Sequence, residues 1–216
     1  MSVVNRAALA ALAAGAAALT VTAVVAVASR PSGSVGAEQA VALASPTPSA
    51  VAPSVAVRPG GLPDAETPVP PVRLRIPAIE VVARVEPVGV DARSGEFDVP
   101  PSVDRIGWYR FGPGLEADAG SVVIAGHVDS AEQGRGAFWR LRELAPGDTL
   151  TVTGADDTPR DYRVVAREEY DKTKIPLERY FARDGRPRLT LITCGGPFDA
   201  QARRYRDNIV VTAVPA

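Results

Sequence analysis

The chain predicts an all-β domain closed into a barrel, standing behind an apolar export segment and a proline-rich linker. Short β-branched runs recur from about Val72 to the end, Gly/Pro turns separate them, and almost no stretch keeps a long helical period. Val72 to Ile76 and Val81 to Val85 are two such runs, parted by Pro77. Ser121 to Ala125 is continuously apolar and of strand length. Thr149 to Thr153 sets Leu150 and Val152 on one face against three threonines, and Tyr162 to Arg167 alternates in the same way. Leu189 to Thr193 and Ile209 to Val214 complete the set. Gly112-Pro113-Gly114, Pro146-Gly147-Asp148 and Asp184-Gly185 supply turns. Phe138 to Leu144 has helical spacing and reads as one short helix. The roughly 145 residues from Val72 onward suffice for a self-supporting core.

Residues 7–28 carry no charge, and 12 of these 22 are alanine. As a helix they would extend about 33 Å, enough for a hydrocarbon core of about 30 Å. Arg6 and the N-terminal amine on the short side orient residues 1–6 to the cytoplasm and everything after 28 outside. The same segment also reads as a cleavable signal, because Ala26-Val27-Ala28 before Ser29 has the A-x-A form. Both readings export the remainder. Residues 29–71 turn to Pro, Ala, Ser, Val and Thr, and nine of the 20 prolines fall between Pro31 and Pro71. That composition predicts a disordered spacer, with the folded domain over 72–216.

The formal net charge of −1 gives no electrostatic reason to expect nucleic acid. One Cys and one His exclude an internal disulfide and a Cys/His structural zinc site, and no metal is expected. The same two residues, Cys194 and His127, are the natural candidates for nucleophilic catalysis near neutral pH. Each follows an apolar strand, at positions where a β scaffold holds side chains rigidly. A thiolate is the nucleophile, an imidazole within reach is its usual activator, and the same imidazole can protonate a leaving amine. Spacing alone does not pair them; the local words do. Thr190-Leu191-Ile192-Thr193-Cys194 matches the TLxTC motif of sortases, and Ala125-Gly126-His127 matches the segment around the sortase histidine.

The chain resembles the actinobacterial class E/F sortases over roughly Val72 to Ala216. The resemblance is carried by Arg75 to Ile79, Gly107-Trp108-Tyr109, Gly126 to Ser130, Phe138 to Leu141 with Pro146-Gly147-Asp148, Thr193 to Gly196, and Tyr205 to Val211. Gly195-Gly196 favours class F. The resemblance implies an eight-stranded barrel without a cofactor. It also implies a cysteine transpeptidase at the cell membrane that cleaves an LPxTG-like sorting signal between Thr and Gly. The acyl group would pass through a thioacyl-enzyme to an amine of a peptidoglycan precursor or a pilin.

Sortases also place an arginine near the start of the last strand to position substrate and hold the oxyanion, work suited to a permanently charged fork of donors. A gapless alignment on Ile209-Val210-Val211 puts Asp207 at that position; a one-residue bulge would bring Arg206 there, with Arg204 sharing its face. Arg206 is the expected catalytic arginine. Thr193, Trp108, Tyr109 and Arg204 are the expected substrate-binding residues, the aromatics as walls of an apolar groove. An inactive binding module or a hydrolytic peptidase on the same barrel would carry the same residues. Ordinary acidities of about 8.5 for a thiol and 6.5 for an imidazole leave little thiolate at neutral pH. The pair therefore predicts slow turnover and a bell-shaped profile of kcat/KM, and a flat profile between about pH 6 and 9 would count against it.

Overall fold

The computed structural model describes residues 33–45, 68–91 and 97–216. Among them are helices α1 (Ala37–Ala44) and α2 (Leu177–Tyr180) and ten strands. The strands are β1 (Pro71–Ile76), β2 (Val81–Val88), β3 (Arg105–Tyr109), β4 (Ser121–Gly126), β5 (Asp129–Ser130), β6 (Gly134–Arg135), β7 (Thr149–Gly154), β8 (Pro159–Asp171), β9 (Arg188–Asp199) and β10 (Arg204–Pro215). Eight of them close a barrel in the order β1-β2-β3-β4-β9-β10-β8-β7, while β5 and β6 form a separate two-stranded ribbon. Most neighbours are antiparallel; β2 with β3 and β4 with β9 are parallel. Closure leaves no barrel strand without two neighbours along at least part of its length, which removes the exposed edges of an open sheet.

Alternation decides which face fills the barrel. Leu74 and Ile76 of β1, Ile124 of β4, Leu150 and Val152 of β7, Leu189 and Leu191 of β9, and Ile209, Val211 and Ala213 of β10 form the core. Each strand expected from the sequence lies within one of these elements; β3 had no strand pattern of its own to announce it. The helix expected over Phe138–Leu144 is instead a 3₁₀ turn at Leu141–Glu143. Its apolar residues recur every third position, and Phe138, Leu141 and Leu144 are all fully buried. A three-residue period suits a 3₁₀ turn, which eclipses side chains at i and i+3.

The spacer expected over 29–71 is corrected in part: residues 34–45 dock onto the barrel. β8 runs 13 residues, but β7 pairs only with its Pro159–Arg163 portion. Val35 takes up the vacant edge, with reciprocal backbone hydrogen bonds to Arg167 of 2.6 and 2.8 Å, and Ser34 Oγ accepts from Glu169 N at 3.0 Å. An uncovered ladder edge is a strong demand for partners, and composition did not reveal that it would be met from this segment. Gly36 then turns the chain at φ 76°, where a Cβ would lie 2.1 Å from the Val165 carbonyl oxygen, so only glycine fits. Behind it α1 packs on β8 and α2 and buries Ala40 and Leu43. Residues 46–67, and the expected membrane segment 7–28, lie outside the described residues. Among the described residues no helix is long and apolar enough to cross a membrane.

Two buried charges fasten this outer layer. The Glu168 carboxylate, 2% exposed, accepts from Tyr170 Oη at 2.6 Å, Tyr180 Oη at 2.7 Å and Arg179 Nη2 at 2.8 Å. Arg188, 3% exposed, donates to the carbonyls of Leu43, Asp184, Arg186 and Arg179. A carbonyl of α1 is thus part of the solvation of a buried guanidinium, and removing it leaves a charge short of partners. Residues 34–216 should therefore unfold at clearly higher urea than residues 72–216, and Leu43→Ala in the longer chain should cost about 2 kcal/mol. Equal midpoints for the two chains would show that the docked segment contributes nothing.

Candidate active site

β4 and β9 lie side by side in parallel, and every ladder pair between them, from Ser121↔Arg188 to Ala125↔Ile192, joins residues 67 apart. His127 and Cys194 are 67 apart as well. Each lies two residues beyond the last pair, so the register carries both segments toward the same rim, with His127 already past the end of β4. Two side-chain bonds reinforce the register: Ser121 Oγ to Thr190 Oγ1 at 2.7 Å, and Thr193 Oγ1 donating to the Gly126 carbonyl at 2.8 Å. Cys194 is not at the end of its strand. β9 continues to Asp199, paired with β10 alone once β4 has ended at Gly126.

Cys194 is half-buried and opens into a cavity of about 60 Å³. Thr193, Gly195, Gly196, Tyr205 and Ile209 line it from β9 and β10, and Val128, Phe138, Trp139 and Arg142 from the segments after β4. Gly196 has φ 70°, and a Cβ there would fall 1.8 Å from Asp207 Oδ2. That close approach accompanies an irregularity in the β9–β10 ladder, where Gly195↔Asp207 is followed by Phe198↔Tyr205 and the extra residue sits in β9.

The His127 ring does not line the cavity. Its Nε2 lies 3.0 Å from the Pro100 carbonyl oxygen. A carbonyl only accepts, so Nε2 carries the proton in the neutral ring and Nδ1 is the basic nitrogen. The backbone is held too: Phe138 N donates to His127 O at 3.1 Å, and Gly136 N to Val128 O at 2.9 Å. Two residues on, Asp129 Oδ2 accepts a 2.5 Å bond from Tyr205 Oη, and the Tyr205 ring meets Phe198 edge-on at 5.2 Å. Tyr205, which lines the Cys194 cavity, thereby ties the segment that carries His127 to the last strand.

The expected substrate residues are distributed differently. Thr193 lines the cavity, but its hydroxyl proton is committed to Gly126. Trp108 is 4% exposed, belongs to the barrel core and donates from Nε1 to the Pro113 carbonyl, so it walls no open groove. A large ring on an inward position is worth more as core than as surface. Tyr109 lies further from the Cys194 end of the barrel, in a ring cluster with Phe97, Phe111 and Phe181. Arg206 and Arg204 are exposed and line no part of the cavity. The bulge that would have turned Arg206 inward lies in β9 rather than β10. Their charges act on other carboxylates. Asp171, held below the ordinary carboxylate range first by Thr173, is also stabilised by Arg206. Asp199, lowered first by the N–H groups of Ala202 and Gln201, is stabilised by Arg206 and Arg204. Arg142 and Tyr205 are the polar cavity residues that site reasoning from sequence passed over. The three-residue apolar period of Phe138, Leu141 and Leu144, which leaves Arg142 outward, was the available signal.

The hydrogen bond to the Asp129 carboxylate, and after it partial burial, push the Tyr205 phenol up from its ordinary value, while Arg142 pulls weakly the other way. A folded-state value above the unfolded one means that the tie is intact below the ordinary phenol range and lost as pH rises through the raised value. The difference between phenolate titrations of the native chain and Tyr205→Phe should show a midpoint above about 10. A midpoint at or below 10 would show that the tie is not made in solution.

A family model described as the sortase domain matches residues 74–216. Among solved structures, sortase C2 from pilus island 1 of group B Streptococcus is similar at TM-score 0.50 and 18% identity, covering 67% of this chain and 72% of that one. Sortase C-1 from Actinomyces oris gives 0.51 and 21%, covering 68% and 74%. Sortase A from Corynebacterium diphtheriae gives 0.50 and 21%, covering 71% of this chain and 63% of that one. At such identities these likenesses speak for the fold. A comparison with curated proteins gives no match. The barrel agrees with the domain match, which extends over residues 74–216 of 216, and the chain belongs to the sortase family.

Proposed function

We propose that this sortase-family chain is a cysteine transpeptidase of the cell surface, of class F. In this reading it is anchored by residues 7–28 with its N-terminus in the cytoplasm and its barrel outside. It cleaves an LPxTG-like sorting signal between Thr and Gly and transfers the acyl group to an amine of a peptidoglycan precursor or a pilin. The observation that supports the reading is the parallel β4–β9 register, whose last pair, Ala125↔Ile192, lies two residues before His127 on one side and two before Cys194 on the other. Gly195-Gly196 after the cysteine supports the class.

His127 takes the Cys194 thiol proton to become imidazolium, and the thiolate attacks the Thr carbonyl and forms the S–C bond while the electron pair moves to oxygen. Collapse of the tetrahedral species breaks the C–N bond, and His127 gives its proton to the departing Gly amine. The acceptor amine then attacks the thioester with His127 as base. The ring must leave the Pro100 carbonyl for Nε2 to serve; catalytic hydrogen bonds commonly tighten only with substrate bound.

Intact-mass spectrometry tests the reading directly. Residues 34–216, which keep the docked segment, should form a thioacyl adduct with an LPxTG peptide, and a Gly-based amine should convert it into a new peptide bond. Cys194→Ala should give no adduct, and His127→Ala should lower kcat/KM by about 10²–10⁴. An adduct cleared by water regardless of amine would make the enzyme a peptidase. No adduct with LPxTG or LAxTG peptides would leave a barrel that binds without reacting.

A further inference from the structure

We propose that residues 34–45, docked on the barrel, act as a ruler that holds the Cys194 rim close to the membrane surface. The inference rests on the reading of residues 7–28 as a membrane anchor and adds where its tether ends. By composition the tether is residues 29–71, which in an extended proline-rich form would reach about 130 Å. The docking of Ser34 and Val35 on β8 ends it far sooner. Only residues 29–33 stand between Ala28 and Ser34, and along any path they cover at most about 22 Å. The point of docking is also fixed with respect to the thiol. Ser34 Oγ accepts from Glu169 N at 3.0 Å. Glu169 pairs with Ile209 across β8 and β10, and Ile209 pairs with Thr193 across β10 and β9. Ser34 therefore stands three strand spacings, about 14 Å, from the residue before Cys194. The two reaches together keep the thiol within about 40 Å of the outer end of the anchor.

The dock is held along its whole length. Val35 exchanges two backbone hydrogen bonds with Arg167, at 2.6 and 2.8 Å, on the part of β8 that β7 leaves unpaired. Gly36 turns the chain where no Cβ fits. α1 buries Ala40 and Leu43, and the Leu43 carbonyl accepts from Arg186 N at 2.9 Å and Arg188 Nη1 at 3.3 Å. Residues 46–67 then join α1 to β1 without bearing on the distance to the anchor, because Ser45 and Pro68 on either side belong to the same folded unit. A reach this short limits the thiol to sorting signals presented near the bilayer and leaves out those carried far into the wall. The single cysteine makes the distance measurable, because a thiol-reactive dye labels Cys194 alone.

The experiment uses the full chain in lipid nanodiscs, with a donor dye on Cys194 and an acceptor dye on the lipid headgroups. Twenty prolines, about 62 Å when extended, are inserted either between Pro31 and Ser32 or between Pro53 and Ser54. The first insertion should lower energy transfer at least about twofold, and the second should leave it unchanged. In Gly36→Val, which forces the segment off β8, the second insertion should become as effective as the first. Native β-sheet circular dichroism in every variant excludes misfolding. Equal losses from both insertions in the otherwise native chain would overturn the proposal, as would native transfer after the first. Co-elution of chain and nanodisc tests the anchor separately. A chain that does not co-elute removes the anchor reading and the proposal with it. A chain that co-elutes but responds to both insertions alike keeps the anchor and loses the ruler.

Discussion

The parallel pairing of β4 with β9 is the constraint on which the rest of the structure depends. Parallel neighbours cannot be joined by a tight turn, so a long excursion must separate them in the chain. Here that excursion holds the β5–β6 ribbon, the 3₁₀ turn, β7, β8 and α2. Because both strands run in the same direction, both deliver their C-terminal ends to one rim of the barrel. A register fixed by buried bonds such as Ser121 to Thr190 converts a sequence distance into a spatial coincidence. A slip of one residue would break that coincidence and reverse the faces of whichever strand moved.

The pieces of the excursion then serve the rim. The ribbon brings Asp129 to Tyr205, the stretch after it holds the His127 backbone through Gly136 and Phe138, and the turn anchored by Leu141 presents Arg142. None of these is a loop hung on the barrel by one bond. Each is pinned by a buried apolar residue or by backbone hydrogen bonds, the support that a reacting pair needs if its geometry is to be held within a fraction of an ångström.

Much of the barrel was legible because alternation records which face is buried: Leu150 and Val152 against three threonines, Leu189 and Leu191 in β9. The candidates Cys194 and His127 were legible because each residue type occurs once and each sits in a recognisable local motif. What sequence pattern does not record is who covers an edge. Val35 pairs with Arg167 because β7 is shorter than β8, a mismatch visible only once both strands have been placed. Nor does pattern fix the direction of a long flexible side chain. Arg206 was expected at the site from its motif, yet it is exposed and absent from the cavity lining, while Arg142, which no motif announced, lines it. Trp108 shows the opposite limit, an aromatic whose motif suggested a groove while its strand parity put it in the core.

Beyond Ile192, β9 has β10 on one side and no β4 on the other. Such a half-paired strand is a template, and templates invite any extended chain, including another copy of the same sheet. This one is short and interrupted: a glycine at φ 70°, then Pro197, which has no N–H to offer. The interruption denies a continuous ladder to any chain that would pair along it. The kink that follows Cys194 therefore protects the barrel from joining its neighbours edge to edge.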